Sequence, residues 1–362
     1  MKVMCMYLPQ YHSFPENDEW WGKGYTEWVA VKGACPLFKG HDQPKIPLGG
    51  DYYDLEKDGV STLSRQAELA RKYGVYGFSV YRYYFNGRSL MKGPLEKLLA
   101  HPEIDINYNI CWANETWTRT WYGLSDQVLI AQEYGDRDDW RKFFDDLLPF
   151  FRDSRYIKVG NRPVLQIYKT FDIPCFEDLS SAFNEWARAE GFDGIYFISG
   201  RTAGGSDDRD RCIDGYYYFE PGYSLKNDLG LAGTVSYNAG TLVRSLRNRL
   251  LGRRFGYILE RRVSAERIMR AIAGRSYADN EFPGIIPAWD NTPRRSYKGL
   301  IYKGCSPELF EKTLKVLKEK VEGHPADFVY VNAWNEWGEG AYVEPDESAR
   351  YAYLEAIRRV QQ

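Results

Sequence analysis

Glu336 and Glu339 are separated by a tryptophan and a glycine in the run Trp334-Asn335-Glu336-Trp337-Gly338-Glu339-Gly340, just after the apolar segment Phe328 to Asn332. Making or cleaving a glycosidic bond usually takes two carboxyl groups. One is protonated and donates to the leaving oxygen; the other is ionised and supplies charge or accepts a proton on the other side. A spacing of three puts both on one side of a turn, and like charges that close disfavour double ionisation, so the pair holds one proton more readily than isolated acids do. The same spacing is common on solvated helices. Here tryptophan and glycine between the acids, and an apolar strand before them, favour the catalytic reading.

Such a turn needs a scaffold. Eight β-rich runs span the chain: Val3 to Tyr7, Gly77 to Tyr81, Ile106 to Trp112, Pro163 to Tyr168, Ile195 to Ser199, Gly215 to Phe219, Ile285 to Trp289 and Phe328 to Asn332. Several are separated by apolar residues at helical spacing, as at Leu63, Ala67 and Ala70, or Leu314, Leu317 and Val321. Gly74, Gly191 and Gly323 follow three of these patterns as C′ glycines, and Ser306-Pro307 opens the last one as N-cap and N1. Repeated strand, helix, glycine, strand predicts parallel pairing, and eight units predict an α/β fold, a (β/α)₈ TIM barrel, over an open doubly wound sheet. No glycine-rich phosphate cradle follows any strand, which excludes the Rossmann and P-loop readings. Two excursions, Pro9 to about Asp54 and Pro221 to Pro283, predict long loops at the C-terminal face. With no linker, repeat or low-complexity tract, residues 1–362 read as one domain.

In a barrel the site is built where the strands end. Those ends deliver Gln10, Tyr11 and His12; Tyr81 and Tyr83; Trp112, Asn114 and Glu115; Tyr168 and Lys169; Trp289 and Asp290; then Trp334 and Asn335 with the two glutamates. Nine of the 11 tryptophans (20, 21, 28, 112, 117, 121, 289, 334, 337) lie at or beyond predicted strand ends. Aromatic faces beside amides and carboxylates suit a ligand with apolar C–H faces and many hydroxyls, which describes a sugar. Tyr11, Tyr81, Tyr83, Trp112, Asn114, Glu115, Trp289, Asp290, Trp334 and Asn335 are therefore expected to bind substrate, with Glu336 and Glu339 catalytic. The competing reading makes these aromatics plain caps on the barrel end.

Other chemistries fare worse. Forty-eight Lys+Arg against 50 Asp+Glu leave a net charge of -2, no field for nucleic acid. The four histidines (12, 41, 101, 324) have no metal-ligand spacing, and the runs Asp136 to Asp138 and Asp208 to Asp210 read as solvated surface, so neither metal nor cofactor is expected. Six scattered cysteines fit reduced thiols. The first nine residues are too short for a signal h-region, and no apolar run nears the roughly 18 residues of a spanning helix. A cytoplasmic protein is expected. Between Arg244 and Arg270, arginines interleave with Leu242, Leu246, Leu250 and Leu251. That pattern reads as a solvated charged face or as peripheral contact with the inner face of the membrane. The oligomeric state is not readable.

The segments MYLPQYHSFPENDEWWGKGYTEW, GHDQPKIPL, YRYYFNGRSL, CWANETWTRTW, RYIKVGNRPVLQIY, FPGIIPAWDNTPRR and DFVYVNAWNEWGEGAYVEPD resemble the WbsX-type proteins, also described as glycoside hydrolase family 99-like. The resemblance runs from Tyr7 to Asp346. It implies a (β/α)₈ barrel acting on glycosidic bonds of oligosaccharide or polysaccharide, among genes for bacterial surface polysaccharides, as a retaining glycosidase or transglycosidase or alternatively as a glycosyltransferase of O-antigen or capsule assembly. Family 99 proper carries an E-W-H-E motif whose first glutamate assists the sugar's own 2-hydroxyl and whose second is general acid/base. By position these roles fall to Glu336 and Glu339. Gly338 departs from that motif, standing where the hydrolases have histidine.

Overall fold

In the computed structural model, residues 1–118, 127–207 and 209–362 are described; Trp121 and Asp208 lie outside them. Nine parallel strands form a nearly closed barrel: β1 Lys2–Tyr7, β2 Gly77–Phe85, β3 Asn107–Trp112, β4 Arg162–Ile167, β5 Tyr196–Arg201, β6 Gly215–Tyr218, β7 Glu281–Phe282, β8 Gly284–Ile285 and β9 Phe328–Val331. Their order is β7-β6-β5-β4-β3-β2-β1-β9-β8. The register pairs Met4 with Gly77, Gly77 with Asn107, and Cys5 with Val331. Strands buried on both faces read as unbroken apolar runs, and every residue of β2 is buried.

The two ends of that order are neighbours in the chain, so together they are the barrel's seventh strand, divided at Pro283. Proline has no N–H for the ladder. Instead its carbonyl accepts from Tyr330 N at 2.8 Å. This strand starts and ends four residues earlier than Ile285 to Trp289, because Glu281–Phe282 pair with β6 and Gly284–Ile285 with β9. At the seam a Cβ on Gly284 would stand 1.8 Å from the Tyr218 carbonyl oxygen, so no side chain fits there.

Helices α1 Pro15–Trp21 and α2 Glu27–Gly33 lie in the first excursion. Helices α3 Gly59–Lys72, α4 Gly93–Ala100, α5 Arg137–Arg152 and α6 Phe176–Ala189 follow in the barrel's alternation. The second excursion holds α7 Gly222–Asn227, α8 Gly230–Phe255 and α9 Ala265–Gly274; then come α10 Thr292–Arg295, α11 Pro307–Val321 and α12 Ala352–Gln361. Caps fall where the residues ask for them. Ser306 accepts from Leu309 N, Pro307 stands at N1, and Gly74, Gly191 and Gly323 take φ of 83°, 88° and 86°. One departure is the β5 to β6 connection, where the described residues form loop and turns with no helix.

Candidate active site

Past β9 the chain forms a two-residue hairpin rung, Asn335–Glu336 against Ala341–Tyr342, around a 3₁₀ turn at Trp337–Glu339. Buried groups clamp this turn from behind. Asn335 accepts from Leu8 N at 2.8 Å and donates to Leu8 O at 3.0 Å, fixing the turn to the end of β1. The indoles of Trp334 and Trp337 donate to Glu344 at 3.0 and 2.8 Å. Burial pushes the Glu344 carboxyl up to about 7 against those donors. Tyr11 accepts from Trp337 N at 3.2 Å and donates to the Asn335 carbonyl. Asp290 N donates to Glu339 O at 2.7 Å, and Gly340 closes the turn at φ 60°.

The front of the turn carries the acids. Arg294, on α10, donates from Nη2 to Glu336 Oε2 at 3.0 Å and from Nη1 to Glu339 Oε1 at 2.8 Å. Its Nε reaches Glu27 Oε2, from α2, at 3.1 Å. Three carboxyl groups thus converge on one guanidinium. A Cβ on Gly338 would lie 2.5 Å from Glu27 Oε2 and 2.6 Å from Arg294 Nε, so the space a histidine would need is filled by that ion pair.

Burial raises the Glu336 carboxyl to about 8; Arg294 opposes the shift, and the charges of Glu339 and Glu27 add to it. Glu339 is raised as well, first by burial, with Arg294 opposing and Glu27 reinforcing. Its side chain retains 23% exposure against 9% for Glu336. The proton belongs to the pair rather than to either residue.

Both acids line a cavity of about 370 Å³ at the C-terminal end of the strands. Tyr81, Tyr83, Glu115 and Trp289 line it with them. Tyr83 accepts from Gln10 Nε2 at 3.0 Å, and Glu115 pairs with Lys169 at 2.5 Å. Leu8, Tyr168, Phe219 and Asn291 complete much of the wall.

Six of the residues expected to bind substrate lie elsewhere. Trp112 pairs in register with Arg82, which points away from the cavity to bond Asp146 on α5; alternation along the strands puts Trp112 on that outer side too. Its indole donates to Tyr84 O at 3.1 Å and its ring packs 4.7 Å from Phe143. Asn114 ties the ends of β3 and β4 together, donating to Lys169 O at 2.8 Å and accepting from Lys169 N at 2.9 Å. Asp290 pairs with His41 at 2.8 Å and accepts from Gln43 at 2.8 Å, anchoring the first excursion. Tyr11, Trp334 and Asn335 form the clamp behind the turn.

Sequence reading gave no role to Glu27, Phe219, Arg261, Arg294 or Arg295, of which all but Glu27 line the cavity. Arg294 and Arg295 stand four and five residues beyond Asp290, in the segment FPGIIPAWDNTPRR, but nothing in spacing alone marks which arginine reaches an acid distant in sequence. Among the described residues, no cluster of three or more His, Cys, Asp or Glu could hold a metal ion.

A family profile described as Glycosyltransferase WbsX matches residues 3–357. Uncharacterized protein WxcX of Xanthomonas campestris pv. campestris is 36% identical over 361 residues, 99% of this chain and 49% of that protein. Its counterpart in strain B100 is 35% identical over the same length. The chain thus spans about half the length of the curated relatives it matches. Among solved structures, the GH99 endo-alpha-mannosidase from Bacteroides thetaiotaomicron aligns at a TM-score of 0.58 with 13% identity, covering 99% of this chain and 96% of that one. A glycoside hydrolase-like protein aligns at 0.50 with 14% identity, covering 99% and 93%. These structural likenesses carry the fold.

Proposed function

Because the chain belongs to the family described as Glycosyltransferase WbsX, we propose that it is a carbohydrate-active enzyme whose Glu336 and Glu339 act on a glycosidic bond in surface polysaccharide metabolism. The observation that supports this reading best is the pair of carboxyl groups on one guanidinium, facing a cavity walled by Tyr81, Tyr83, Tyr168 and Trp289. Aromatic faces take the C–H faces of a sugar, and the acids and Gln10 take its hydroxyls.

In this reading the enzyme is a retaining glycosidase or transglycosidase. Glu336 removes the proton of the sugar's 2-hydroxyl as that oxygen bonds to the anomeric carbon. The bond to the leaving oxygen breaks, and Glu339 protonates that oxygen. Glu339 then takes a proton from water or an acceptor hydroxyl, which attacks the anomeric carbon and reopens the ring formed in the first step, while Glu336 returns its proton to the 2-oxygen. Burial raises both carboxyls and the charge of Glu339 adds to the shift of Glu336, which favours one shared proton on the pair; the mechanism needs that proton on Glu339 when Glu336 takes up the 2-hydroxyl proton. No step calls for a metal or a nucleotide.

The second reading, a glycosyltransferase in O-antigen or capsule assembly, is favoured by the family's description. A cytoplasmic location at the inner face of the membrane goes with either. Incubation with polysaccharide fragments and, separately, with a sugar-nucleotide panel tells them apart. Cleavage or transfer from the fragments supports the glycosidase; turnover only with a sugar nucleotide supports the transferase.

A further inference from the structure

Helix α8 is built the wrong way round for a soluble surface. Its inward side is polar: Asn248 exchanges hydrogen bonds with Ile258 at 2.7 and 2.9 Å, Arg244 donates to Glu260 O at 2.5 Å, and Tyr237 accepts from Arg261 at 3.0 Å. Gly233, Asn248 and Gly252 are its buried residues. The leucines face out. Leu231 is 85% exposed, Leu250 77% and Leu242 60%, and Val235 and Leu246 are exposed beside them. On a helix of 3.6 residues per turn these five positions fall within an arc of about 100°, with exposed Val243 just beyond it; Leu251 and Phe255, toward the C-terminal end, are exposed on the other side. Nowhere else among the described residues do exposed large apolar side chains gather in this way; Val29, Ile46 and Val128 are scattered.

The charge of α8 is all of one sign. Within its 26 residues α8 carries five arginines and no acidic residue. Arg249 and Arg253 fall within the same arc as the leucines, and Arg254 lies beyond one edge of it. Long arginine side chains can lay their methylenes along an apolar surface while the guanidinium reaches anionic headgroups. No helix of the described residues is long and apolar enough to cross a membrane, so α8 would lie in the interface plane. A second copy laid face to face on this arc is a poor occupant, since it would set Arg249, Arg253 and Arg254 against like charges.

We propose that α8 docks this protein on an anionic lipid surface, its leucines entering the headgroup boundary and its arginines pairing with lipid phosphates. The placement has a consequence for the cavity. Gly222 and Leu225, before α8, and Arg261, after it, all line that cavity, so the docking helix is joined at both ends to the cavity wall. The docking itself does not depend on the proposed reaction.

The test is co-sedimentation of the full chain with phosphatidylcholine vesicles, with and without about 30% phosphatidylglycerol, at low and raised salt. Binding to the anionic vesicles that weakens with salt is expected. Two variants of exposed side chains, L242S/L246S/L250S and R249Q/R253Q, should each weaken it about tenfold or more, with unchanged thermal melting. Absence of binding to anionic vesicles overturns the proposal. So does full binding by the leucine variant, which would mean electrostatic adsorption without insertion. A lipid-free oligomer that dissociates in the leucine variant would also overturn it, assigning the face to a second copy.

Discussion

Arg294 decides how the acids share their charge, since one guanidinium bridges Glu336 and Glu339 and also pairs with Glu27. Glu336→Gln and Glu339→Gln should each keep the fold and lower turnover on a glycan substrate by roughly 10² to 10⁴, the usual worth of a positioned proton donor or acceptor. Steady-state kinetics on each variant measures this, and near-wild-type rates in either would contradict the roles proposed. The raised pKa also has a stability sign. Below 4.5, the ordinary value, Glu336 is protonated folded and unfolded, so it costs nothing; as pH rises toward about 8 the unfolded carboxyl ionises first and stability falls. Thermal melting from pH 5 to pH 8 should therefore show a decline in the wild type that is smaller in Glu336→Gln. An equal decline in both would remove the burial argument. The acids themselves were readable from the sequence because tryptophan, glycine and an apolar strand surround them. Arg294 was not, because its partners lie 42, 45 and 267 residues away in the chain.

At the scale of elements, the turn after β9 holds its acids by what packs on both sides of it. Gly338→Ala would drive a Cβ into Glu27 and Arg294, pulling the guanidinium from the acids; turnover should fall by about 10² or more, a loss comparable to removing a preorganised charge partner. Kinetics checks this, with circular dichroism to confirm an intact barrel. Trp112 gives the contrasting case, for it packs on Phe143 beneath α5 rather than in the cavity. Trp112→Ala should cost about 3 to 5 kcal/mol of stability, as large-to-small core changes do, while leaving KM for a glycan unchanged; a raised KM with unchanged melting would return Trp112 to the binding wall. Sequence reading could place these residues at strand ends but not on a face. The period-two alternation that separates Tyr81 and Tyr83 from Arg82 and Trp112 depends on a register that only pairing supplies. Hence Tyr11, Asn114, Asp290, Trp334 and Asn335, sitting near the cavity in sequence, spend their polar groups on the backbone and on side chains outside the cavity wall, among them His41, Gln43, Tyr53 and Glu344.

For the whole molecule, strand-and-helix repetition made the barrel legible, since buried parallel strands and C′ glycines leave local marks. The divided strand at Pro283 and the loop between β5 and β6 left none that periodicity detects. The same holds for α8: interleaved arginines and leucines fit a solvated face as well as an interfacial one until packing shows which side points inward. The claim that joins these scales is that one cavity, with two acids on one guanidinium, turns over a glycosidic bond. The most direct measurement is NMR of the anomeric proton in products from polysaccharide fragments after exhaustive chelation, with the wild type and Glu339→Gln side by side. The account predicts a product of retained configuration from the wild type, formed without metal or nucleotide, and loss of nearly all turnover in the variant. Activity that returns only with manganese and a sugar nucleotide, or a product of inverted configuration, would contradict it.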